Sequence, residues 1–131
     1  MRAVFGLYIS LFLCGCATTG GNAYPDHSFA SQTLEDTGIA SYYSDSLHGR
    51  STASGEPYDK YELTAAHRKL KFGTWVKVTN LTNDQAVIVR INDRGPFVRG
   101  RVIDLSRQAA EEVGLIGPGL AQVKLEIVSP P

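Results

Sequence analysis

Through the second half of the chain, apolar and polar positions alternate in short runs instead of recurring at helical spacing. Ala86 to Ile91 (AVIVRI) places Val87, Val89 and Ile91 on one side and Ile88 and Arg90 on the other, the two-residue period of a strand. Trp75 to Thr79 (WVKVT) is also rich in β-branched residues, with Trp75 expected in the core. The polar stretch from Asn80 to Asp84 joins these two runs and predicts a hairpin. Gly38 to Tyr43 (GIASYY), Arg101 to Leu105 (RVIDL) and Ala121 to Val128 (AQVKLEIV) predict further strands. Ser106 is placed to cap a brief helix over Arg107 to Val113, with Gly114 as its stop. Several short strands, one helix and many turns predict a mainly β fold closed into a small barrel, which leaves no exposed edge.

The N-terminus follows a different pattern. MRAVFGLYISLFLCGC holds one Arg and then an apolar run from Ala3 to Leu13, with no acidic residue before Asp26. The run is too short to span a bilayer comfortably and has the shape of a signal-peptide core. Leu13-Cys14-Gly15-Cys16 resembles a bacterial lipobox, which implies a signal peptide over residues 1–15 and lipidation of Cys16. Cys14 stands where Ala or Ser is commoner, and an ordinary signal peptide or a free N-terminal helix is the alternative. Ala17, not Asp, in the second mature position implies sorting to the outer membrane, with the domain facing the periplasm. Ala17 to Thr37 is rich in Ser, Thr, Gly and Asn and reads as a flexible tether, so that residues 38–131 form the domain.

Composition narrows the partners. The 131 residues include 13 Lys+Arg and 13 Asp+Glu, so no net field draws in nucleic acid or anionic lipid, and a neutral polymer such as a glycan fits better. With 43% hydrophobic residues, a packed core is expected. The two cysteines, one residue apart, are badly placed for an ordinary disulfide. The domain is therefore expected to hold by its own core; a monomer is also expected.

Three polar clusters interrupt the β pattern: HGRSTASGEPYD (His48 to Asp59), TAAHR (Thr64 to Arg68) and INDRGPF (Ile91 to Phe97). Each sets an ionisable residue among small or turn-forming neighbours, which keeps a site accessible. Taken alone, Asp93 before Arg-Gly-Pro is an ordinary turn residue whose carboxylate caps local N–H groups. His48, His67 and Asp93 match no compact metal spacing, and neither metal nor cofactor is expected.

GIASYYS, HGRSTASGE, LTAAHR, FGTWVKVTN and VRINDRGPFVRGRVIDLS, in this order and spacing, resemble the rare lipoprotein A family of bacterial lytic transglycosylases. The resemblance covers nearly all of residues 38–128. It implies a six-stranded double-psi β-barrel, related to the expansin and family 45 endoglucanase barrels, with a glycan groove across one side. It carries the family's active-site positions onto Glu56, His67 and Asp93, with Asp93 as the catalytic acid. Tyr42, His48 and Arg50 are the substrate-binding candidates. Ser44, Leu47 and Lys71 depart from the family pattern, where Gly, an aromatic residue and Pro are commoner; none is ionisable chemistry lost. Many family members carry a second, glycan-binding repeat domain after the barrel, and no such segment follows here before Pro131.

The implied activity is cleavage of the peptidoglycan bond between N-acetylmuramic acid and N-acetylglucosamine, with 1,6-anhydro ends. Asp93 would protonate the leaving oxygen and then take the proton from the 6-hydroxyl, while Glu56 and His67 position the sugar or tune Asp93. Arg94 is expected to point away from Asp93, because a close cation would oppose acid duty. Peptidoglycan strands, the outer membrane through Cys16, and division or envelope proteins are the expected partners. The rival reading is an expansin-like lipoprotein that grips wall glycan without cutting it. A weaker one is a structural envelope lipoprotein whose groove serves a protein partner.

Overall fold

A computed structural model of the chain describes residues 36–131. The predicted signal peptide, the lipidation site at Cys16 and most of the tether lie outside the described residues. Six strands follow in order: β1 (Asp36–Tyr42), β2 (Thr64–Ala66), β3 (Trp75–Asn80), β4 (Ala86–Asp93), β5 (Arg101–Leu105) and β6 (Ala121–Val128). A single turn of 3-10 helix covers Asp45–Leu47, and α1 covers Arg107–Glu112. The strands close into a barrel in the order β1-β5-β2-β4-β3-β6. Pairs β1–β5 and β2–β4 are parallel; β1–β6, β2–β5, β3–β4 and β3–β6 are antiparallel.

Alternation explains the interior. Val76 and Val78 of β3, Val87, Val89 and Ile91 of β4, Ile103 and Leu105 of β5, and Val123 and Leu125 of β6 point inward and are buried. Ala109, Ala110, Val113 and Leu115, in and after α1, join the same cluster. Burying each Val, Ile or Leu contributes roughly 1.5–3 kcal/mol, so a barrel this small depends on nearly every inward position. The expected Ser106 cap is present: its side chain accepts the Ala109 N–H. The expected stop at Gly114 adopts φ 69°, a conformation open to Gly at little cost.

The β3–β4 hairpin forms as expected, closed by buried Asn80, whose Nδ2 donates to the Val113 carbonyl at 2.8 Å and whose Oδ1 accepts the Thr82 N–H. Trp75 departs from expectation. It is half-buried and lines an open cleft of about 570 Å³ with Ile88, Arg90 and Glu62. The short β2 carries no strand signal in the sequence, because Thr64, Ala65 and Ala66 are all buried and show no alternation.

Both parallel pairs carry a one-residue irregularity. Ile39 faces Arg101 and Ala40 faces Ile103, leaving Val102 as the extra residue of β5. Ala65 faces Ile91 and Ala66 faces Asp93, leaving Asn92 as the extra residue of β4. The first brings Val102 against Gly38, where an added Cβ would lie 2.3 Å from a Val102 methyl group, so only Gly fits. The second lets Asn92 and Asp93 leave the strict alternation at the end of β4, re-aiming side chains as bulges do.

Candidate active site

Asp93 ends β4, and three donors converge on its half-buried carboxylate. Oδ1 accepts the backbone N–H groups of Ala53 and Arg94, each at 2.8 Å, and Oδ2 accepts the Tyr43 hydroxyl at 2.5 Å. Oδ1 is thus fully occupied, whereas Oδ2 keeps one lone-pair direction outside these bonds. The Tyr43 ring packs on Tyr58, with centroids 4.6 Å apart and planes tilted by 56°. Burial, and then the Asp93 hydrogen bond, push the Tyr43 phenol above its ordinary range, so it stays an O–H donor.

The donor from Ala53 exists because STASGEP folds into a tight turn over the end of β4. Ser51 and Pro57 pair across it, Thr52 N–H bonds the Glu56 carbonyl, and Ser54 N–H bonds the Asn92 carbonyl. The Thr52 hydroxyl donates to the Glu56 carbonyl at 2.7 Å, and Ser54 Oγ accepts the Glu56 N–H. The small hydroxyl residues therefore satisfy the turn's own backbone.

Arg94 turns away from Asp93, as expected. Its guanidinium donates to the carbonyls of His67 (3.2 Å) and Leu70 (2.8 Å) and lies 4.0 Å over the Phe72 ring. Arg68 reciprocates by bonding the carbonyls of Pro96, Val98 and Arg101. Two arginines thus clasp the TAAHR and NDRGPF segments through backbone oxygens.

Glu56 sits on the same turn as Ala53 but faces a different partner. Its two oxygens take Arg90 Nη1 and Nη2, both at 2.9 Å, with Asn92 Nδ2 at 3.4 Å from Oε2. The Arg90 fork holds the Glu56 carboxyl below its usual range. Glu56, Arg90 and His48 line one cleft of about 390 Å³ with Tyr58, Asp59 and Glu62. His48 Nδ1 accepts the Lys60 N–H at 3.2 Å, and its ring meets Tyr61 edge-on.

His67 neighbours Asp93 through the backbone, its N–H donating to the Asp93 carbonyl at 3.2 Å. Its imidazole turns elsewhere. Nδ1 accepts the N–H groups of Lys69 and Leu70, both at 3.1 Å, which assigns the ring proton to Nε2. Burial pushes its pKa down, and the ring lines a cavity of about 170 Å³ with Asp36, Leu70, Val76, Leu125 and Ile127. Among the described residues, no side-chain hydrogen bond joins Asp93, Glu56 and His67.

Of the substrate-binding candidates, Arg50 is exposed and anchors the loop through its carbonyl, which accepts the Tyr58 N–H. Tyr42 packs against the core, with its hydroxyl 3.4 Å from the Ile116 carbonyl and the Arg107 guanidinium 6.0 Å from its ring centre. Sequence reasoning offers Tyr43 only as a sugar-stacking residue ranked behind Tyr42, and it does not single out Ala53 or Arg90. Arg90 carried a signal, as the lone cation in an apolar run; Ala53 acts through its backbone and carried none.

The closed six-stranded barrel, with two parallel pairs and polar turns folded over strand ends, is a double-psi β-barrel. A family model described as lytic transglycolase matches residues 35–125. The chain belongs to the rare lipoprotein A family. It is 51% identical over 107 residues to the endolytic peptidoglycan transglycosylase RlpA of Pasteurella multocida, covering 77% of this chain and 36% of that protein. It is 60% identical over 91 residues to a probable endolytic peptidoglycan transglycosylase RlpA of Synechocystis, covering 70% and 28%. The chain thus spans about a third of the length of these relatives. Among solved structures, the Streptomyces papain inhibitor superposes with a TM-score of 0.58 at 23% identity, covering 72% of this chain and 94% of that one. An expansin of Clavibacter michiganensis gives 0.57 at 22%, covering 75% and 52%. Both likenesses concern the fold alone.

Proposed function

We propose that this barrel is a lytic transglycosylase, a carbon–oxygen lyase that cleaves peptidoglycan strands between N-acetylmuramic acid and N-acetylglucosamine. The observation that carries the reading is the unequal state of the two candidate carboxylates. Asp93 is held by neutral donors with one lone-pair direction on Oδ2 left over, whereas Glu56 is locked to a guanidinium. A glycosidase of the usual kind needs two working carboxylates, one as acid and one to activate water or attack. Intramolecular attack needs only one.

In the proposed sequence, protonated Asp93 gives its proton to the glycosidic oxygen as the bond from the anomeric carbon breaks, and that oxygen leaves with the bonding pair. The 6-hydroxyl oxygen of the same muramic acid bonds to the anomeric carbon, and its proton passes to Asp93. No water is consumed, and Asp93 ends as it began. Glu56 keeps Arg90 and the turn in place, and His67, whose ring turns into a separate cavity, acts on Asp93 through its backbone N–H and accepts no proton in the reaction. The names of the relatives support endolytic cleavage of peptidoglycan.

We also propose that Cys16 carries the lipid anchor and that the domain works at the outer membrane, facing the periplasm. The lipobox-like Leu13-Cys14-Gly15-Cys16 supports this; Cys16→Ser, followed by membrane fractionation, tests it, with release from the membrane expected. For the activity, purified sacculi and strands stripped of stem peptides are digested and the products weighed. New anhydro-muramyl ends, lost in Asp93→Asn, are expected. Sacculus binding with no new ends would favour the expansin-like reading.

A further inference from the structure

The bond between Tyr43 and Asp93 has no role in the chemistry described so far, yet it joins two side chains 50 positions apart at the centre of the candidate site. We propose that Tyr43 is a positioning residue for Asp93: its hydroxyl fixes the Oδ2 edge toward the sugar and stabilises the carboxylate left after proton donation. This rests on the transglycosylase reading.

The geometry supplies the argument. Oδ1 already takes two backbone N–H groups, so the proton that Asp93 gives and regains can be accommodated only at Oδ2. Tyr43 Oη lies 2.5 Å from that oxygen. When Asp93 loses its proton, the bond from Tyr43 becomes charge-assisted, and such bonds are roughly twice as strong as neutral ones. Tyr43 therefore favours the state in which the leaving oxygen has been protonated. It does so without giving up its own proton, because its burial and its acidic neighbour disfavour a phenolate.

Packing makes this donor dependable. Tyr43 N–H bonds the Leu105 carbonyl at 2.9 Å, extending the β1–β5 pairing by one residue. The ring rests on Tyr58, which is buried and whose own hydroxyl accepts the Arg107 N–H. Both the backbone and the plane of the ring are thus fixed before the hydroxyl meets Asp93.

Other charged groups around the pair are accounted for. Asp104 and Tyr58 face the phenol, and Arg101 is bonded to Asp104. Arg94 directs its guanidinium to backbone carbonyls, Glu56 is paired with Arg90, and His67 is held neutral by burial. Among the described residues no cation is paired with Asp93, so the Tyr43 hydroxyl is its one side-chain donor.

The test is a carboxyl-carbon NMR titration of Asp93 in the full chain, alongside the pH profile of anhydro-end formation. In Tyr43→Phe the ring stays but the donor is gone. The Asp93 titration is expected to move to higher pH, and the alkaline limb of kcat/KM to move with it. Anhydro-end formation should fall about tenfold with KM little changed. Tyr58→Phe keeps both rings and should leave the Asp93 titration where it is. A second measurement does not depend on the Phe variant folding: in Asp93→Asn, the Tyr43 phenol followed by ultraviolet titration should ionise at lower pH. An unmoved Asp93 titration in folded Tyr43→Phe, or an unmoved phenol in Asp93→Asn, would overturn the proposal. If the wild-type chain makes no anhydro ends while both titrations move as stated, the failure belongs to the activity reading and not to the Tyr43–Asp93 linkage.

Discussion

Asp93 and Glu56 are both carboxylates held near one seven-residue turn, and they are held in opposite ways. Asp93 meets two backbone N–H groups and a phenol, none of them charged. Glu56 meets the full fork of Arg90, at 2.9 Å on each side. A cation fixes a carboxylate in its charged form; neutral donors favour that form too, but at Asp93 they leave one lone-pair direction of Oδ2 open to a proton. On the proposed reading, the difference separates a residue that holds structure from one that moves protons. Arg94 could have erased the contrast, being next in sequence to Asp93, but its guanidinium is spent on the carbonyls of His67 and Leu70.

The largest expected effect breaks the contrast at its reactive end. Asp93→Asn should lower the rate of anhydro-end formation by roughly a hundredfold or more, the usual scale for losing a general acid. Its thermal midpoint should stay close to wild type, because the amide still accepts the Ala53 and Arg94 N–H groups. Glu56→Gln acts on the other member. It keeps the shape and loses the charge, and the rate should fall by about tenfold or less as the turn loosens. The Glu56–Arg90 pair is half-exposed, so its loss should cost less than about 1 kcal/mol in a denaturant titration. If Glu56→Gln proved as damaging as Asp93→Asn, the assignment of unequal roles would fail.

Much of the barrel could be read from alternation. The strands Arg101–Leu105 and Ala121–Val128 fall where the pattern puts them, and β3 and β4 form the expected hairpin. The limits of that reading are physical. Thr64-Ala65-Ala66 is buried on both faces, so it lacks the period that marks a strand. Strand order and the irregular pairings at Asn92 and Val102 depend on contacts distant in sequence, which no local pattern encodes. At the site, the motif containing Asp93 was legible, and so was its ordinary role as a turn cap: Asp93 does accept the Arg94 N–H. The choice between the adjacent tyrosines was not. Tyr42 was favoured for the groove, but β1 ends there, and it is Tyr43 beyond the strand that reaches Asp93.

Smaller effects sharpen the comparison from outside it. Arg94→Ala removes the donor to two backbone carbonyls and the stacking on Phe72, and should cost about 1–2 kcal/mol by denaturant titration. Its activity loss should track loss of folded protein, since Arg94 is a clasp and not an acid.

The smallest effect is a pH dependence from His67, whose pKa is pushed down by burial. Below about pH 6.5 the unfolded imidazole takes a proton that the folded one resists. The stability this ring contributes is therefore complete above that pH and declines as pH falls toward the lower folded value. His67→Gln should flatten that part of the thermal midpoint profile; a profile unchanged by the substitution would contradict the neutral, half-buried ring.

The central claim is that one carboxylate, Asp93, serves a reaction that uses the sugar's own hydroxyl in place of water. Digestion of stem-peptide-free strands in heavy-oxygen water, with the product ends weighed, tests it most directly. The account predicts anhydro-muramyl ends that carry no label, and their disappearance in Asp93→Asn. Labelled reducing ends would mean that water attacks the anomeric carbon, and would contradict it.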